Sequence, residues 1–180
     1  MYKIPSLKKY VIAAMLITLC AVLPLVLHAL PGAGSTVLPM HIPVLLGGII
    51  LGPFVGMLVG LFGPMLSSFT TGMPTVAALP HMMAELAVYG FVGGLIAIIL
   101  PFKNIYMRVY PSLIVAMILG RIVGGFVRIF ILVPEATEAV FVWWITSYFI
   151  TSAPGIIIQL ILIPILIVSL EKAKVIGIRR

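Results

Sequence analysis

Aspartate is absent from this 180-residue chain, and charge of either sign is scarce: Asp, Glu, Lys and Arg together make up 8% of it. A soluble domain carries about 25% charged residues, so this chain cannot cover a water-facing surface. Only four residues are acidic, all glutamates, from which a two-carboxylate catalyst or a proton-relay pump is hard to build. Cysteine occurs once, as Cys20 in an apolar run, which excludes a disulfide framework and a thiolate metal set. Catalytic motifs are missing too. No GxSxG elbow, Walker loop or Cys/His metal spacing occurs, and His81-Met82-Met83-Ala84-Glu85 has the wrong order for a zincin. Neither an enzyme nor a bound cofactor or metal is expected.

What the chain has is apolar length. Hydrophobic residues fill 63% of it, and a membrane span needs about 20 of them. The predicted fold is one all-α integral membrane domain, residues 1–180, of six transmembrane helices. Spans are expected at 9–30, 39–51, 53–70, 80–100, 111–133 and 154–171, with 139–151 as an interfacial or upper half-helix. Gly52-Pro53 reads as a tight turn on the cytoplasmic side, Pro80 and Pro111 as helix starts, and Pro154-Gly155 as a break. The N-terminus imitates a signal peptide, but its apolar run from Tyr10 to Leu30 is longer than the ~7–15 residues of a cleaved one.

The net charge of +7 is distributed by topology. Lys3, Lys8 and Lys9 precede the first span, Lys103 and Arg108 sit in a later break, and Lys172, Lys174, Arg179 and Arg180 end the chain. With six spans these nine of the eleven basic residues share one side, opposite Glu135 and Glu138. That asymmetry predicts both termini in the cytoplasm. No basic stripe with interleaved aromatics occurs, so nucleic acid is not an expected partner. Small residues recur every fourth position at Gly52, Gly56 and Gly60, at Gly90 and Gly94, and at Ala116, Gly120 and Gly124. Such stripes predict close helix packing.

Few ionisable residues fall inside the spans: His28, His41, His81, Glu85, Arg121 and Arg128. A charge at the bilayer centre costs about 2.5–3.5 kcal/mol on insertion scales, so these side chains should face the bundle interior, a cavity or the interface. Counting 1.5 Å per residue from the expected helix ends puts Glu85, Arg128 and Gln159 at one depth near the outer face. His41 and Ser67 through Thr71 lie there too, while Arg121 falls near mid-membrane. The candidate substrate-binding set is Met40, His41, Ser67, Ser68, Thr71, His81, Glu85, Tyr89, Arg128, Trp144 and Gln159. Structural readings stand beside it. Glu85 paired with Arg121 or Arg128 acts as glue, the serines bond back to their own helix, His28 is incidental, and Trp143 and Trp144 are interface aromatics or a lid.

The segments LPMHIPVLLGGIILGP, LSSFTTGMP, LPHMMAELAVYGFVGGL and PGIIIQLILIPIL, in that order, resemble the substrate-binding S components of energy-coupling factor transporters over roughly residues 10–172. The resemblance implies a subunit of the bacterial cell membrane that captures a vitamin near the outer face. It implies partners: a transmembrane coupling subunit and two cytoplasmic ATPases, which hydrolyse ATP while this subunit topples to release its load. Such subunits dock through an AxxxA pattern on the first span. Ala14 and Thr18 are the nearest match here, with Thr in the second small position. Arg128 favours a carboxylate ligand, and among family substrates pantothenate fits. Glu85 favours an amine unless an arginine neutralises it, so a pyridoxine-like or hydroxymethylpyrimidine ligand is the alternative. A stand-alone secondary transporter or structural membrane subunit is the reading from a different class.

Overall fold

The computed structural model describes residues 2–27, 36–102, 104–132 and 138–178. His28, Lys103, Glu135, Arg179, Arg180 and the loop over 31–35 lie outside the described residues. The described residues are helical apart from turns and one two-residue ladder, and among them five helices are long and apolar enough to cross a membrane. It is a multi-pass membrane protein.

Helix α1 spans Ser6–Leu27, with Pro24 in its last turn. Helix α2, His41–Leu51, has only 11 residues, about 16 Å at 1.5 Å each, or half of a ~30 Å hydrocarbon core. Every residue of α2 except Ile42 is buried, so it runs inside the bundle. It ends at Gly52, whose φ of 96° suits glycine, and Pro53 opens α3, Pro53–Thr71. The sequence predicts this turn at the cytoplasmic face. In the structure the turn is buried beside α4, Leu79–Ile99, where a Cβ at Gly94 would stand 2.6 Å from the Pro53 nitrogen. Five residues of α4 continue past Gly94, so the turn stops short of that helix end.

Glycine makes this burial possible. A Cβ on Gly48 would strike the Gly90 carbonyl, and one on Gly56 would stand 2.6 Å from the same oxygen. Backbones of α2, α3 and α4 therefore cross in contact, as the small-residue stripes predict.

Helix α5 spans Ile105–Phe126 and continues as a π-helical segment, Val127–Leu132. It begins six residues before Pro111, where the sequence predicts a start. Asn104 caps it, its side chain accepting from the Tyr106 N–H at 2.9 Å, and Pro111 is carried inside. Helix α6, Glu138–Ile145, likewise passes into a π-helical segment, Thr146–Thr151. Together they are too short to be a span. Helix α7, Ala153–Lys172, has Pro154 in its first turn, the position proline tolerates best.

The two ends of the chain meet. Strand β1, Tyr2–Lys3, pairs antiparallel with β2, Gly177–Ile178, and Lys8 donates to the Val175 carbonyl at 2.7 Å. Ile176 beside this ladder is buried within the same apolar cluster as Leu51, Ala97 and Val109.

Candidate functional site

Helices α4 and α5 run antiparallel, and two glycines of α5 set their register. A Cβ on Gly120 would run into the Tyr89 ring, and one on Gly124 would stand 2.8 Å from the Glu85 Cβ. One turn further out, Arg128 Nη1 meets His81 Nε2 at 3.3 Å. Arg128 therefore lies one turn outside Glu85 rather than at its depth. The count from helix ends fails here because the register is set by Gly124 packing against Glu85, which puts Arg128 opposite His81.

Two polar tiers result. In the inner tier Glu85, His41, Tyr89, Arg121 and Ser152 are all buried. The Tyr89 hydroxyl donates to Glu85 Oε1 at 3.0 Å and accepts from Arg121 Nε at 3.0 Å. Glu85 and Arg121 thus share one phenol without forming a direct ion pair. His41 Nε2 faces Glu85 Oε1 at 3.5 Å, and its ring packs edge-on to Tyr89. Arg121 Nη1 donates to Ser152 Oγ at 2.6 Å, and that hydroxyl in turn donates to the Tyr148 carbonyl. Three helices, α2, α4 and α5, and the α6–α7 junction are tied together by this chain of hydrogen bonds.

The outer tier is His81, Arg128 and Trp143. The Arg128 guanidinium lies over the Trp143 ring, 4.3 Å from its centroid, a cation–π contact. An arginine can only donate, so His81 Nε2 accepts and the ring proton sits on Nδ1, which is buried and has no partner. Arg128 is half-buried and, among the residues whose side chains are described, touches no carboxylate. Trp144 packs its indole against Gly125, with Nε1 buried and unpartnered. Tyr148 lies within electrostatic reach of Glu85, Arg121 and Arg128.

Other predicted residues fall elsewhere. Ser67 Oγ donates to the Met73 carbonyl at 2.6 Å and Ser68 Oγ to the Pro74 carbonyl at 2.8 Å, while Thr71 Oγ1 bonds back to Ser67. These hydroxyls fold the loop after α3 onto the helix end. Met40 is in the apolar core, its carbonyl facing Cys20 Sγ. Gln159 is fully buried on α7, two turns inward of Ser152. Arg121, Ser152, Trp143 and Tyr148 join the tiers without belonging to the predicted set. Arg121 carried a signal, since an arginine in an apolar run must find partners; Ser152 carried only that of a helix cap. Among the described residues no cluster of three or more His, Cys, Asp or Glu could hold a metal. Ala14 and Thr18 are exposed on α1, and the Thr18 hydroxyl is spent on the Ala14 carbonyl at 3.0 Å.

No curated protein and no solved structure matches the chain. The family model described as ECF transporter, substrate-specific component, matches residues 8–167. Over that length the match takes in both polar tiers and every helix that positions them, and the chain belongs to the substrate-specific components of ECF transporters.

Proposed function

We propose that this protein binds a small anionic vitamin or vitamin precursor in the two polar tiers and delivers it through an ECF-type importer of the bacterial cell membrane. Family membership supports a small-molecule substrate and association with a membrane coupling component and ATPase components. The observation that carries the charge of the ligand is Arg128. Among the described side chains, two guanidiniums, Arg121 and Arg128, face one carboxylate, Glu85, and that carboxylate is linked to Arg121 through Tyr89. Arg128 is left with a histidine and an indole, neither of which balances its charge. A ligand carboxylate supplies the missing partner by a charge-assisted hydrogen bond, and pantothenate is the favoured substrate. A pyridoxine-like or hydroxymethylpyrimidine ligand, which would use Glu85, is the second reading. The engagement of Glu85 Oε1 by both Tyr89 and His41 weighs against it.

The meeting of the chain ends supports an even number of crossings, with α2 contributing to a sixth beside the five long helices. Basic residues at that end support a cytoplasmic placement of both termini. Ala14 and Thr18 present a small, self-satisfied face on α1 toward the coupling subunit. Titration of the purified protein with a vitamin panel tests the ligand reading. A submicromolar ligand that binds ~10–100-fold more weakly to Arg128→Gln supports it; no ligand, or a variant equal to wild type, sinks it. Recovery of ATPase subunits with the tagged protein separates an importer subunit from a stand-alone transporter.

A further inference from the structure

Gln159 is 0% exposed, and neither the nitrogen nor the oxygen of its carboxamide has a hydrogen-bond partner. It lies on the inward face of α7 with Ser152, Gly155, Ile163 and Ile167, all buried. Seven residues separate it from Ser152, the acceptor for Arg121, which puts Gln159 about 10 Å further in. The same count down α5 from Arg121 reaches the buried, apolar Leu113, Ala116 and Met117. Helix α7 also packs on α2, whose buried residues inward of His41 are all apolar. An amide in such surroundings costs about 1–3 kcal/mol when unbonded, and a bilayer offers no water to relieve it. For packing alone a leucine or methionine would serve without that penalty.

The other unpartnered buried polar atoms near the tiers are His41 Nδ1, His81 Nδ1 and Trp144 Nε1. Each is a single donor or acceptor, whereas Gln159 offers both in one plane. We infer that Gln159 is a specificity-determining residue. Its carboxamide donates to and accepts from an amide, ureido or hydroxyl group at the inner end of an elongated ligand whose carboxylate is held at the arginines. This rests on the reading of the tiers as the ligand site and adds a substrate class: carboxylates with a remote group that both donates and accepts.

The test uses the full chain in nanodiscs and four probes. Pantothenate and biotin carry a carboxylate with an amide or ureido group, while lipoate and nicotinate carry the carboxylate without one. Wild type is expected to prefer one of the first pair. Gln159→Met, equal in length and apolar, is expected to lower that affinity ~10–100-fold and leave any lipoate or nicotinate binding unchanged. Gln159→Asn should fall between, and Arg128→Gln should weaken every probe alike. Wild-type affinity and selectivity in Gln159→Met overturn the inference, whatever its melting temperature. A wild type that prefers lipoate or nicotinate overturns it too but leaves the tiers as the ligand site. If wild type binds none of the four, the inference falls, while weak but Arg128-dependent binding of another carboxylate would still sustain the site.

Discussion

Tyr89 lets a glutamate and an arginine occupy one buried layer without touching. Its hydroxyl donates to Glu85 and accepts from Arg121, so each charge keeps a partner at 3.0 Å. Removing that oxygen leaves Glu85 Oε1 with the longer His41 contact alone and strips the Arg121 Nε–H of its acceptor. Tyr89→Phe is expected to lose about 1–3 kcal/mol of stability, read as a lower unfolding midpoint in detergent. Gly125 is the other sensitive point, because a Cβ there collides with the Trp144 indole. Gly125→Ala should displace Trp144 and destabilise the protein by about 1–3 kcal/mol, seen in its melting temperature and recovered in part by bound ligand. Glu85, His41, His81 and Arg128 were legible in the sequence because an ionisable group in an apolar run has few places to go. Ser67, Ser68 and Thr71 look the same at that level, but their hydroxyls turn to loop carbonyls, a local competition that spacing does not reveal. Ser152 and Tyr148 carry no charge and no motif, and only the fold brings them to Arg121 and Glu85.

At the scale of elements, helix α2 is the least expected part. The short run over 39–51 predicts a tilted span or one that begins within the preceding loop; its 11 helical residues are enclosed by α1, α3, α4 and α7. The glycine stripes announced close packing without saying which glycines touch. Gly48, Gly56 and Gly90 stand at backbone crossings, whereas a Cβ on Gly93 would meet Ala116 at an ordinary 3.6 Å. Gly90→Ala is therefore expected to destabilise by about 3 kcal/mol, and Gly93→Ala to stay within about 0.5 kcal/mol of wild type. Equal unfolding midpoints for the two variants would refute the crossing. Pro111 misled for a related reason. A proline signals a helix start, but the Asn104 cap six residues earlier sets the true one, and the helix carries Pro111 inside.

At the scale of the molecule, the terminal ladder pairs the residue stretch before the first helix with the one after the last. In a Cys20→Ala background, Lys8→Cys and Lys174→Cys should both react with a membrane-impermeant thiol reagent only from the cytoplasmic side, and Thr75→Cys only from outside. Labelling of Lys8→Cys and Lys174→Cys from opposite sides would break the six-crossing topology. Ala14→Trp or Thr18→Trp should spare ligand binding and reduce ATP-driven uptake to background in proteoliposomes with the coupling and ATPase subunits, since both residues lie on the exposed face of α1. Class and overall helicity were legible from composition, because 8% charge leaves no alternative to a membrane. The register between α4 and α5 was not, since it depends on which glycine admits which side chain. The most direct test of the ligand-binding account is mass spectrometry of the small molecule that co-purifies from native membranes with wild type and with Arg128→Gln. The account predicts one anionic vitamin-like compound with wild type, lost or strongly depleted in the variant. No bound compound, or the same compound in equal amount from both, would contradict it.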